Sequence, residues 1–169
     1  MSKQTELEKL ISISPQEWIE LNQKNIAVIE KAVECICVGD GASLLAMMSE
    51  DLKFRMNGAT PFSRILNNKA EFAQLFGDVA SFLEGFIPLE VTRWIPAGEW
   101  VITETKGNAK MKDHQSYRNS YCQLWKVESG IITELVEYND TQLIMEKFFP
   151  EELEKNTSDK PAQVAAEVD

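Results

Sequence analysis

The stretch GIITELVEYND, Gly130–Asp140, decides the fold. It carries Glu134, Glu137 and Asp140 three residues apart, which on a helix would make one acidic stripe. Ile131, Ile132 and Thr133 are β-branched and favour a strand instead. Strand alternation then puts Ile131, Thr133, Leu135 and Glu137 on one face, and Ile132, Glu134, Val136 and Tyr138 on the other. Both faces carry apolar groups, so both are expected to be covered at least in part. Glu137 is separated from Glu134 and shares its face with the apolar Ile131 and Leu135.

The text before this strand has the same character. LEVTRWI turns through Pro96, Ala97 and Gly98 into EWVITETKGNAKM. The polar KDHQ leads into SYRNSYCQLWKVE, and Ser129-Gly130 turns the chain into IITELVEY. Enrichment in β-branched and aromatic residues, punctuated by turns, predicts an antiparallel meander from Pro88 to Tyr138. Helices precede it. Ser14, Pro15 and Glu17 form a capping-box start for a helix that Gly39 ends, with a break expected near Asn25. Asp40 can cap a short helix through GASLLAMM, and LKFRM follows as a strand. Asn68 and Glu71 open a helix whose Phe72, Leu75, Phe76, Val79, Phe82, Leu83 and Phe86 make one apolar stripe, read as core. TQLIMEKFF is a short closing helix.

The 169 residues, 44% of them apolar, suit one domain. The net charge of −10 repels nucleic acid and anionic membranes, so neither is expected as a partner. No apolar run is long enough for a signal peptide or a bilayer span. The three cysteines have no CxxC spacing and read as reduced thiols of a cytoplasmic protein. With a single His and no Cys/His cluster, no metal and no other cofactor are expected.

The order of helices, long amphipathic helix and curved sheet resembles the nuclear transport factor 2-like superfamily. VGDGASLLAMMSEDLKFRMNG is similar to its entry segment, and YRNSYCQLWKVESGIITELVEYNDT to the closing hairpin of its SnoaL-like and ketosteroid-isomerase-related members. The resemblance implies an α+β cone, a curved antiparallel sheet packed with N-terminal helices around a central cavity. It covers roughly Asn25 to Phe149, leaving residues 1–24 as a helical extension and 150–169 as a polar tail expected to lack order. Positions where ketosteroid isomerases carry an oxyanion tyrosine, a shuttling aspartate and an oxyanion aspartic acid match Ala32, Met56 and Cys122 here. The limonene-epoxide-hydrolase-like set matches Phe54, Met56, Thr105, Gly107 and Glu137, so only Glu137 keeps an acid.

The resemblance further implies that Phe54, Met56, Thr105, Cys122 and Leu135 line the cavity as ligand-binding residues. Glu137 and Asp140 compete as its catalytic acid, Asp140 having the alternative role of a helix cap. The same phase sends Tyr117, Asn119, Tyr121, Gln123 and Trp125 to the convex side, as a homodimer face. The expected function is binding of a small apolar, polyketide- or steroid-like molecule, with acid–base isomerisation, cyclisation or hydrolysis at Glu137. The alternative is a non-catalytic ligand-binding module or dimeric accessory protein.

Overall fold

The computed structural model describes residues 13–158. Helix α1 (Pro15–Val38) starts at the capping box: the Glu17 amide donates to Ser14 Oγ, and the Ser14 amide donates to Glu17 Oε2 at 3.0 Å. It ends at Gly39, whose φ of 74° suits glycine. The helix runs unbroken through Asn25, whose buried amide donates to the Gly98 carbonyl at 2.7 Å. The expected break is therefore absent, and the boundary drawn at residue 24 falls inside one helix. After α2 (Gly41–Ala46), capped by Asp40, come β1 (Met48–Met56) and the two-residue β2 (Ile65–Leu66). Helix α3 (Lys69–Ala80) is capped by Asn68 and buries Phe72 and Leu75. It stops short of the full apolar stripe. Phe82 and Leu83 follow in a turn, and Leu83 bridges to Met111.

Strands β3 (Leu89–Ala97), β4 (Trp100–Lys110), β5 (Ser116–Glu128) and β6 (Ile131–Asn139) form the predicted meander. The six-stranded sheet has the order β2-β1-β6-β5-β4-β3 and is curved but unclosed. It is mixed rather than purely antiparallel, because β1 runs parallel to β6. A parallel neighbour needs a long crossover, and everything from β2 to β5 supplies it. Helix α4 (Thr141–Phe148) closes the core with buried Ile144 and Phe148.

A second difference concerns the tail. Pro150–Ser158 forms helix α5, with Pro150 at its start and Glu151 and Glu152 in its first turn. Proline at that position and acids near the positive end of the helix dipole both favour it. The rest of the expected tail, and the first residues of the expected extension, lie outside the described residues.

A one-residue irregularity in β6 fixes the faces of the sheet. Val127 faces Ile132 across the β5–β6 ladder, but Lys126 faces Glu134, so Thr133 is left over. A bulge of this kind shifts the alternation by one. Ile132 is therefore fully buried while Ile131 is 40% exposed, the reverse of simple alternation from the turn. Past the bulge, Leu135 faces Trp125 and Glu137 faces Gln123.

Candidate functional site

A cavity of about 110 Å³ lies between the sheet's inner face and helices α1, α3 and α4. Phe54, Met56, Phe72, Phe76, Trp125, Leu135 and Phe148 supply much of its wall. The polar side chains on it are Tyr117, Tyr121, Gln123, Glu137 and Asn139. Among the described residues no Lys, Arg or His lines it. Among the described residues no cluster of three His, Cys, Asp or Glu could hold a metal, and no helix is long and apolar enough to cross a membrane.

Glu137 is half-buried at the wall, on β6 beyond the bulge. Its Oε2 accepts from Gln123 Nε2 at 3.0 Å, and its Oε1 accepts from Asn139 Nδ2 at 3.1 Å. Among the described residues no Lys or Arg pairs with it. Burial pushes its carboxyl above the ordinary value of 4.5, and the two amide donors pull against that shift without cancelling it.

The orientation of Gln123 follows from the groups behind it. Trp125 Nε1 can only donate, and it donates to Thr103 Oγ1 at 3.1 Å. The Thr103 hydroxyl hydrogen is then free for Gln123 Oε1, 3.3 Å away, and Thr105 donates to the same oxygen at 3.3 Å. With its oxygen taken by two hydroxyls, Gln123 must turn its amide nitrogen to Glu137. Thr103, Thr105 and Trp125 are all essentially without exposed surface, so this chain is shielded from water.

A second polar group lies alongside. Tyr121 and Tyr117 hydroxyls are 3.3 Å apart, and Asn119 Nδ2 donates to Tyr117 Oη at 2.9 Å. Burial raises both tyrosines above their ordinary range. Gly107 lies beneath Tyr121: a Cβ there would come within 2.9 Å of the ring, so glycine permits the tyrosine's position.

The structure brings Phe54, Met56, Leu135 and Glu137 together at the cavity. Thr105 stands one layer behind, on Gln123. Asp140 is exposed and caps α4, accepting from the Leu143 amide at 3.1 Å. Cys122 does not face the cavity. Counting back across the turn puts Cys122 opposite Glu137, but the bulge at Thr133 puts Gln123 there and turns Cys122 to the convex side, beside Glu104 and Tyr138. The same shift overturns the expected convex row. Tyr117, Tyr121, Gln123 and Trp125 line the cavity, and Asn119 is buried on the same face.

These residues were missed although a signal was present. Arg118, Ser120 and Lys126 alternate with Tyr117, Tyr121, Trp125 and Val127 along β5, so amphipathicity alone puts the aromatic face inside. Asn139 had no comparable signal, since it follows the strand's apolar part.

A family model described as a SnoaL-like domain matches residues 29–135. A nuclear transport factor 2-like protein from Burkholderia pseudomallei is 16% identical with a TM-score of 0.68, over 75% of this chain and 98% of that one. TerC, co-crystallised with polyporic acid, is 17% identical with a TM-score of 0.66, over 73% and 97%. A protein of ketosteroid isomerase-like fold from Catenulispora acidiphila, in complex with trimethylamine, is 11% identical with a TM-score of 0.61, over 71% and 90%. At these identities the likeness is one of fold. No curated protein sequence matches the chain.

Proposed function

Because the chain belongs to the SnoaL-like domain family, we propose that it holds a small molecule in the cavity and exchanges a proton with it through Glu137. One observation carries this reading. A carboxyl without a cationic partner stands at the wall of an apolar cavity, its two oxygens held by amides of Gln123 and Asn139. Burial raises its proton affinity toward the range useful for acid–base work. The complexes of two solved relatives with polyporic acid and trimethylamine support a small-molecule role.

Binding without turnover is the second reading. It is favoured by the cavity lining, where among the described residues no carboxyl other than Glu137 stands on the wall to act as a second proton carrier.

Glu137→Gln separates a chemical role from a structural one. The variant keeps the shape and removes the proton carrier. At neutral pH it is expected to melt at the parent's temperature or above it, because no ionised group is then held in the cavity. If Glu137 serves the fold instead, the variant loses roughly 1–3 kcal/mol, since buried donors are left without acceptors. Thermal melts of parent and variant decide between them. Titration with a cavity ligand then reports whether Glu137 also contributes to binding.

A further inference from the structure

The cavity's charge, lining and size restrict what can occupy it. We propose that its ligand is a small organic cation, of the alkylammonium class, held between aromatic side chains and the Glu137 carboxylate. The proposal rests on the cavity being a ligand site, as proposed above, and names the class of ligand.

Among the described residues, Glu137 is the only acidic or basic side chain on the wall apart from two tyrosines, and no Lys, Arg or His stands there to offset it. An anionic ligand would therefore meet a carboxylate in a weakly screened space with no countercharge. A neutral hydrocarbon would fill the space but leave Glu137 either uncharged or poorly solvated. A cation resolves the mismatch by pairing with the carboxylate, while the aromatic side chains of Phe54, Phe72, Trp125 and Phe148 line the space in which its alkyl groups and charge would sit.

The hydrogen-bonding inventory agrees. Asn139 Oδ1 is buried and has no donor, although the same amide reaches Glu137 through its nitrogen. The Gln123 oxygen is already occupied by Thr103 and Thr105. The corner formed by Glu137 and Asn139 thus has acceptor capacity to spare, and an N–H donor arriving there would use it. Size sets the remaining limit. At about 110 Å³ the cavity is smaller than the ~150 Å³ apolar cavity that takes benzene, so a ligand of roughly five heavy atoms fits.

Three probes of one shape test the class: tert-butylammonium, tert-butanol and pivalate, titrated calorimetrically at neutral pH, with the Leu135 methyl resonances reporting occupancy of the cavity. The expected result is a Kd for tert-butylammonium at least tenfold below that for tert-butanol, and no binding of pivalate. Glu137→Gln is expected to reduce the ammonium's affinity to that of the alcohol. Equal or weaker binding of the ammonium to the parent protein overturns the proposal without any variant. So does a preference that survives Glu137→Gln. If the alcohol or pivalate binds best and shifts Leu135, the cavity stands as a ligand site and only the cationic class falls. If none of the three shifts Leu135, the cavity reading falls with it.

Discussion

At the scale of the residue, Glu137, Gln123 and Asn139 form a unit with one fixed and one adjustable amide. Gln123 is locked by two threonine hydroxyls on its oxygen. Asn139 is not locked, because its own oxygen has no partner. When Glu137 takes a proton on Oε1, that proton needs an acceptor, and rotating the Asn139 amide brings its idle oxygen into place. The same rotation accommodates Glu137→Gln, which is why that variant is expected to fold well. The pH dependence follows in sign. The native carboxyl holds its proton above the ordinary 4.5, so between 4.5 and the raised native value the folded state binds more protons than the unfolded. Glu137's favourable share of stability is therefore complete below 4.5 and is lost as pH rises through that window. The melting temperature of Glu137→Gln minus that of the parent should grow from pH 4 to pH 7. A difference that stays flat or shrinks would show that the carboxyl is not held in its neutral form by the fold. Taking the difference removes carboxylates such as Glu84, which Lys110 shifts downward and which act in the opposite sense.

At the scale of the element, legibility tracked how local the deciding interaction is. Caps at Ser14, Asp40, Asn68 and Asp140 are set by side chains within three residues, and each lies where sequence chemistry puts it. Glu137's side of β6 was legible too, since Leu135 shares it. The partner of Glu137 was not, because one unpaired residue, Thr133, changes the count between β5 and β6 and nothing local to Cys122 records it. The alternation of charged and aromatic residues along β5 was the better guide, since it depends on burial and not on loop counting. The inward row of β4 yields a prediction of its own. Thr103→Val strands the Trp125 indole N–H as well as removing a donor from Gln123, whereas Thr105→Val removes only the donor. The first should cost roughly 1–3 kcal/mol and the second about 0.5–1.5 kcal/mol. For a chain of this size each kcal/mol lowers Tm by about 2–4 °C. Thermal melts that rank the two equally, or in reverse, would mean the indole bond contributes nothing.

At the scale of the whole molecule, the fold is a cone whose aromatic row faces inward. The basis for a dimer through Tyr117, Tyr121 and Trp125 therefore disappears, because those side chains are committed to the cavity and core. What the convex side presents is Ile102, Leu124 and Cys122, half-buried among Glu104, Lys106 and Arg118. The inward row also narrows the cavity. A space smaller than one that takes benzene does not admit a steroid or a polyketide of that size in the shape seen here. Periodicity disclosed the helices and strands and the family resemblance implied the cone, but neither disclosed this volume, which depends on how Phe72, Phe76, Trp125 and Phe148 come together from three separate elements. Everything proposed for function returns to one carboxyl in that space. The direct measurement is a pH titration of the Glu137 carboxyl carbon by NMR, assigned by its loss in Glu137→Gln. A midpoint clearly above 4.5 is the predicted result, and a midpoint at or below 4.5 would contradict Glu137 as the cavity's proton-exchanging group.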